Sequence, residues 1–309
     1  MTNGALMTCG FCAAPNPLSI AFWASDWEYG VPGRWAIARC DRCGMYFQSP
    51  PPAPDLIPSF YPPTYSAYAE DPTTGWMFRM TYWLDARRIR RLIGRRGRVL
   101  DVGCGNGAAL AAMREHGDWE LHGVELDEVA AEKARRRGLT VITGDLTSSA
   151  LPLGTFDLIR MGHVIEHVPN PLEMLRRSVD LLRPGGVVFG ETPNTHCWDF
   201  KLFRQYWGAL HVPRHIAFFD EKNLRQALSR AGFTDILMKP RLRTVGWSAG
   251  IQNWLADKHA ARVPASGRVS WYPLLIVCCL PLTVLQSLVA WPATVAFSGR
   301  KPPAAQRVC

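Results

Sequence analysis

The first dozen residues, MTNGALMTCGFC, hold no basic cluster followed by an apolar core. They lack the form of a secretory leader, so a reducing, cytoplasmic setting is expected. Nothing repeats along the 309 residues, which argues against a stack of repeats. No Asn-Pro-Pro-Tyr motif of the base-flipping kind is present, which counts against nucleic acid as a partner. Between Arg268 and Arg300 there is no charged side chain at all.

What is present fits a folded chain. An apolar fraction of 48% with 20% charged residues excludes global disorder. The net charge of +9 is concentrated in the run RRIRRLIGRRGR over 87–98. Such a run meets phosphates, anionic lipid or an acidic partner, or it is simply a solvated helix face. In a reducing compartment the nine cysteines read as thiols or metal ligands. Cys9-Gly-Phe-Cys12 and Cys40-Asp-Arg-Cys43-Gly44 form two C-x-x-C knuckles, a strong pattern for a structural zinc ribbon. The bland alternative is four unligated buried thiols.

The composition shifts divide the chain into a ribbon (1–48), a Pro-rich linker (49–75), an α/β core (76–245) and an apolar C-terminal part (246–309). In the core, strands are expected at 98–102, 121–125, 140–143, 156–160, 187–191 and 235–239. Helices alternate with them at 108–116, 127–137, 172–182 and 220–231, capped by Asp127 and Asp220 and stopped by Gly138 and Gly232. That alternation marks a mostly parallel sheet with helices on both faces.

Asp101-Val-Gly103-Cys-Gly105-Asn-Gly107 follows the first strand, where glycines let backbone amides approach a ligand. Glu125 ends the second strand, placed to accept ribose hydroxyls. The same logic serves dinucleotide sites, and with Ala108 a G-x-G-x-x-A reading is formally available. The ordered set LDVGCGNG, GVELD, TGD, FDLI and LLRPGG, over roughly 98–240, resembles the class I, Rossmann-like S-adenosyl-L-methionine (SAM)-dependent methyltransferases. The resemblance implies a seven-stranded sheet. It also implies that Asp101, Gly103, Gly105 and Gly107 line the methionine side of SAM, Glu125 the ribose and Asp145 the adenine. For Asp145 a turn cap is the plain alternative.

MGHVIEHVPNP, with His163, Glu166 and His167, resembles the segment after the fourth strand in ubiquinone-biosynthesis O-methyltransferases. Acidic residues and the histidine bind a divalent cation in some of those enzymes, but here His163 takes the first acidic position. His211-Val-Pro-Arg-His215 resembles the acceptor-side segment after the fifth strand. His167 and His215 are the candidates for a general base, against the alternative of capping or packing histidines.

Sequences with such a ribbon ahead of this domain resemble enzymes of bacterial glycan modification. The segment ATVAFSGRK resembles the antiparallel strand that closes this fold, at 294–298. The apolar stretch before it is then expected as a helical hairpin, lying in a membrane interface or over the acceptor pocket. The leading expectation is transfer of a methyl group to a small-molecule, glycan or lipid-linked acceptor at the inner face of the membrane. An rRNA methyltransferase and a non-catalytic SAM-binding scaffold are the alternatives.

Overall fold

A computed structural model of the protein describes residues 9, 11–12, 14, 18–53, 55–61, 75–259, 262–264 and 267–303. Cys309 and most of the expected Pro-rich linker lie outside these residues.

The chain opens with strands β1 (Leu18–Ala24), β2 (Trp35–Cys40) and β3 (Tyr46–Gln48), then helix α1 (Gly75–Ile93). Next come β4 (Arg96–Val102), α2 (Ala108–Met113), β5 (Asp118–Glu125), α3 (Glu128–Arg136), β6 (Thr140–Thr143) and β7 (Phe156–Gly162). Helix α4 (Pro171–Leu181), β8 (Leu182–Pro193), α5 (Trp198–Phe203), β9 (Ala217–Phe218) and α6 (Glu221–Ala231) follow. The chain continues through β10 (Thr234–Arg241), α7 (Val245–Asp257), α8 (Tyr272–Val289) and β11 (Thr294–Arg300).

Seven strands form one sheet in the order β10-β11-β8-β7-β4-β5-β6. β11 runs antiparallel between β8 and β10, while β8, β7, β4, β5 and β6 are parallel neighbours. The closing strand expected at 294–298 is therefore present and runs on to Arg300. Two cores lie against the sheet. Leu100 and Ile159 face α4 and α6, while Val99 and Leu158 face α1, α2 and α3. Neighbouring residues of one strand thus serve opposite faces, so the central strands are apolar along most of their length. Asp127 caps α3 by accepting from Ala130 N at 2.7 Å, and Asp220 caps α6 from Asn223 N at 2.7 Å. The first core helix is shorter than expected, giving way to a 3₁₀ turn at 114–116.

The N-terminal strands form a second sheet, β1-β2-β3-β9. Its fourth strand comes from beyond the middle of the chain, so the boundary expected at residue 48 is crossed by main-chain pairing of Tyr46 with Phe218 and Phe47 with Ala217. This places the ribbon against the edge where the parallel strands end.

Candidate active site

At the carboxyl end of β4 the chain turns through Gly103, Gly105 and Gly107, with φ of 65°, 54° and 78°. Only glycine adopts that region cheaply. A Cβ on Gly103 would also lie 2.9 Å from Val164 Cγ2, and one on Gly107 2.5 Å from Leu139 Cδ1. Gly105 N donates to Glu125 Oε2 at 2.8 Å and Asp127 N to Oε1 at 3.0 Å. Glu125 is thereby fixed across the loop with lone pairs to spare. Burial pushes its carboxyl above the usual range, opposed by those backbone donors.

Asp101 is fully buried, and Arg160 on β7 donates to its Oδ1 at 2.9 Å. Among the described residues its buried Oδ2 has no hydrogen-bond partner. An orphaned carboxylate oxygen beside a glycine cradle fits the ammonium of a bound amino acid moiety. Together with Glu125, these residues therefore suit SAM. Asp145 accepts from Thr147 N at 2.6 Å and from the Thr147 hydroxyl, both on Oδ1, so that oxygen caps the turn after β6.

A line of paired charges runs along this edge, buried at Asp85, Arg160, Arg241, Glu191 and Glu166 and open to solvent at His163. Asp85 on α1 pairs with Arg160 at 3.2 Å and with Arg241 on β10 at 2.8 Å. Glu191 on β8 pairs with Arg241 at 2.9 Å, with Arg243 at 2.8 Å and with His163 Nε2 at 3.3 Å. His163 reaches on to Glu166 Oε1 through Nδ1, at 3.1 Å. Its backbone is left-handed, at φ 56°, a strained conformation for histidine. Desolvation disfavours its charge, but the two carboxylates outweigh that and raise its pKa to about 10. Both ring nitrogens of His163 face carboxylates, while the side chains here whose ligand atoms lie within 4.8 Å of one another are Glu166, His167 and His215. Burial likewise opposes ionisation of Glu166, and the His163 hydrogen bond overrides it to hold the carboxyl below its usual range.

His167 and His215 come together, with ring centroids 4.5 Å apart and edge to face. His167 Nδ1 lies 3.1 Å from the Arg214 carbonyl and 2.9 Å from Tyr61 Oη. A carbonyl only accepts, so Nδ1 carries the proton and Nε2 keeps its lone pair. His215 is held the same way by the Ala209 carbonyl, at 3.0 Å from Nδ1. Burial lowers the pKa of both rings, and they are neutral at pH 7. Next to an imidazolium, this edge therefore presents two neutral imidazoles.

At the ribbon, Cys9 Sγ lies 3.8 Å from Cys43 Sγ, and Cys12 Sγ 3.7 Å from Cys40 Sγ. Zinc–thiolate bonds of about 2.3 Å in a tetrahedron put sulfurs roughly 3.8 Å apart. Cys12 N donates to Cys9 Sγ and Cys43 N to Cys40 Sγ, each at 3.4 Å. Gly44 turns the second knuckle at φ 74°. The four sulfurs lie within 4.8 Å of one another, a set that suits a tetrahedral metal.

Sequence reasoning did not find Asp26, Tyr61, Arg160, Glu191 or Arg214. Arg160 and Glu191 carried a usable signal, because a charge inside an otherwise apolar central strand must find a buried partner. Arg214 lies inside the 211–215 segment already singled out, while Asp26 and Tyr61 are joined to the site only by the fold.

A profile of the methyltransferase domain family matches residues 78–237. Two curated relatives are ubiquinone biosynthesis O-methyltransferases. That of Methylococcus capsulatus is 36% identical over 110 residues, 33% of this chain and 45% of the relative. That of Pseudomonas aeruginosa is 34% identical over 120 residues, 36% of this chain and 49% of the relative. The chain thus spans about half the length of the curated relatives it matches. Among solved structures, phosphoethanolamine N-methyltransferase 2 of Haemonchus contortus with S-adenosyl-L-methionine superposes with a TM-score of 0.52 at 16% identity. That match covers 83% of this chain and 62% of that one, and it bears on the fold alone. With the sheet order, the glycine loop and this match in place, the chain belongs to the methyltransferase domain family and has the fold of the class I SAM-dependent methyltransferases.

Proposed function

We propose that the protein moves a methyl group from SAM to a hydroxyl of a small-molecule, glycan or lipid-linked acceptor at the inner face of the membrane. The observation that carries this is His167, a neutral imidazole whose proton is fixed on Nδ1 at the ligand edge of the sheet. Bound SAM supplies an electrophilic methyl on a sulfonium. Asp101 and the glycine loop would hold its amino acid end, Glu125 its ribose and Asp145, through Oδ2, its adenine. His167 Nε2 is then free to take a proton from the attacking hydroxyl, with His215 as the second candidate. Oxygen as the accepting atom is supported by the O-methyltransferase relatives.

His163 donates to Glu166 and Glu191, leaving the base beside it uncharged. The geometry of the four cysteines supports one structural zinc on Cys9, Cys12, Cys40 and Cys43. In this reading the zinc keeps the β1–β3 sheet folded, and that sheet bears Asp26 near the base. Labelled SAM incubated with the protein and with fractionated lipid, glycan and RNA tests the reading. Label should enter lipid or glycan. Label in RNA would replace it with an rRNA methyltransferase, and SAM binding without transfer to any fraction would make the chain a scaffold.

A further inference from the structure

Helix α8 has its polarity inside out. Its polar residues Thr283 and Gln286 are buried, while Leu274, Val277, Leu285 and Leu288 are 61%, 66%, 52% and 77% exposed. Over 18 residues its mean hydropathy is 2.0 and only 17% of it is buried. A helix on a water-facing surface shows the opposite pattern.

The buried side is pinned to the enzyme. Gln286 Nε2 donates to Asp199 Oδ1 at 2.9 Å, Trp207 Nε1 donates to Asp199 Oδ2 at 2.8 Å, and Trp247 Nε1 donates to Gln286 Oε1 at 2.8 Å. Both ends are tied down as well. At the start, Arg268 pairs with Glu28 and the Tyr272 hydroxyl meets Ser248 Oγ at 2.9 Å. At the end, the chain passes directly into β11, where Thr294 pairs with Pro193 and Arg241. A helix of about 27 Å lying along the protein cannot also cross a bilayer whose apolar core is about 30 Å thick.

The occupant of the exposed face follows from charge. From residue 258 to the end of the chain there is no Asp or Glu. Exposed Lys201, Arg204 and Arg262 lie on or beside α5 and α7, with Lys258 paired to Asp257 at 3.6 Å; α5 packs on α7 and α7 on α8, and Trp254 and Trp271 are 46% and 39% exposed. Apolar surface flanked by tryptophan and cations suits an anionic lipid surface. The arginine run at 87–98 does not join it, since it leads into β4 from the amino end, opposite the ligand edge.

We infer that α8 lies flat in the headgroup region of an anionic membrane and brings the ligand edge of the sheet down onto the lipid. β7 and β8 end at that edge, with His163 following β7, and Asp199, which holds Gln286 of α8, following β8, so α8 on the lipid brings the acceptor side toward the bilayer. This deepens the lipid-linked reading above and rests on it.

The test is flotation of the full chain with phosphatidylcholine vesicles, with and without 30% phosphatidylglycerol, alongside calorimetry of SAM binding. The protein should float with the anionic vesicles and be partly released by 0.5 M salt. The Val277→Glu, Leu288→Glu double variant should bind at least tenfold more weakly, while Leu153→Glu, on an exposed loop elsewhere, should behave as the parent. SAM affinity should be unchanged in all of them, which separates failure of this inference from failure of the methyltransferase reading. Three results would overturn it: no flotation with either vesicle, a dimer that the double variant splits, or carbonate-resistant insertion.

Discussion

Arg214 and Asp26, 188 residues apart, meet as a bidentate ion pair with two contacts of 2.9 Å, and both side chains are buried. Asp26 also accepts from Glu28 N and Tyr29 N at 3.1 Å and from Val31 N at 3.2 Å. The pair therefore locks the turn after β1 onto the segment whose Arg214 carbonyl orients His167. Arg214 Nη1 donates in addition to Phe60 O at 3.0 Å, next to Tyr61, whose hydroxyl meets the same imidazole.

Removing one partner strands a buried charge. Asp26→Ala should cost about 3–5 kcal/mol in urea unfolding, well above the cost of an exposed ion pair. Tyr61→Phe should leave stability nearly unchanged, lower turnover and shift the His167 titration measured by NMR. An unshifted His167 in both variants would separate the ribbon from the base.

Turnover should follow the protonation of His167. Burial lowers its pKa, so the rate should climb as pH rises through a value below 6.5 and stay flat through neutrality. His167→Gln should abolish transfer while SAM still binds. Loss of SAM affinity instead would assign His167 to the cofactor site.

Stability carries the opposite sign at His163. Its folded pKa lies above the unfolded value, so its contribution is complete below about pH 6.5 and is lost as pH rises toward about 10. Glu166 and Glu191 are depressed, so theirs is present above about pH 4.5 and is lost as pH falls. Thermal melts of parent and His163→Gln should differ most between about pH 4.5 and 6.5 and converge toward pH 10. Parallel curves would show that His163 is not charged in the fold.

Purified protein should hold about one zinc per chain, lost in the Cys40→Ser, Cys43→Ser variant along with folding of the β1–β3 sheet. Because β9 shares that sheet, the variant should lose turnover more than SAM affinity. Metal analysis finding no zinc in chelator-free preparations would remove the metal from the account.

The local geometry of the proposed cofactor half could be read in the sequence because its determinants are local. Gly103, Gly105 and Gly107 each answer to a left-handed turn, and Glu125 and Asp101 end or nearly end their strands. The closing strand was legible as well. On the acceptor side His167 and His215 were offered as base candidates, but the contacts that hold them were not legible. Tyr61, Asp26 and Arg214 meet only through the second sheet, whose β3–β9 pairing joins segments some 170 residues apart. No spacing or periodicity encodes such a contact. The apolar stretch at α8 was expected as a helical hairpin, but it forms one continuous helix, Tyr272–Val289, and which side its leucines face emerged only once Gln286 was seen bonded to Asp199.

The central claim is that this edge binds SAM through Glu125 and the glycine loop, and titration calorimetry tests it most directly. One SAM should bind per chain, in preference to NAD, and Glu125→Ala should weaken binding by about 1.5–3 kcal/mol per charged hydrogen bond lost. Unchanged affinity in that variant, or a preference for NAD, would contradict the account.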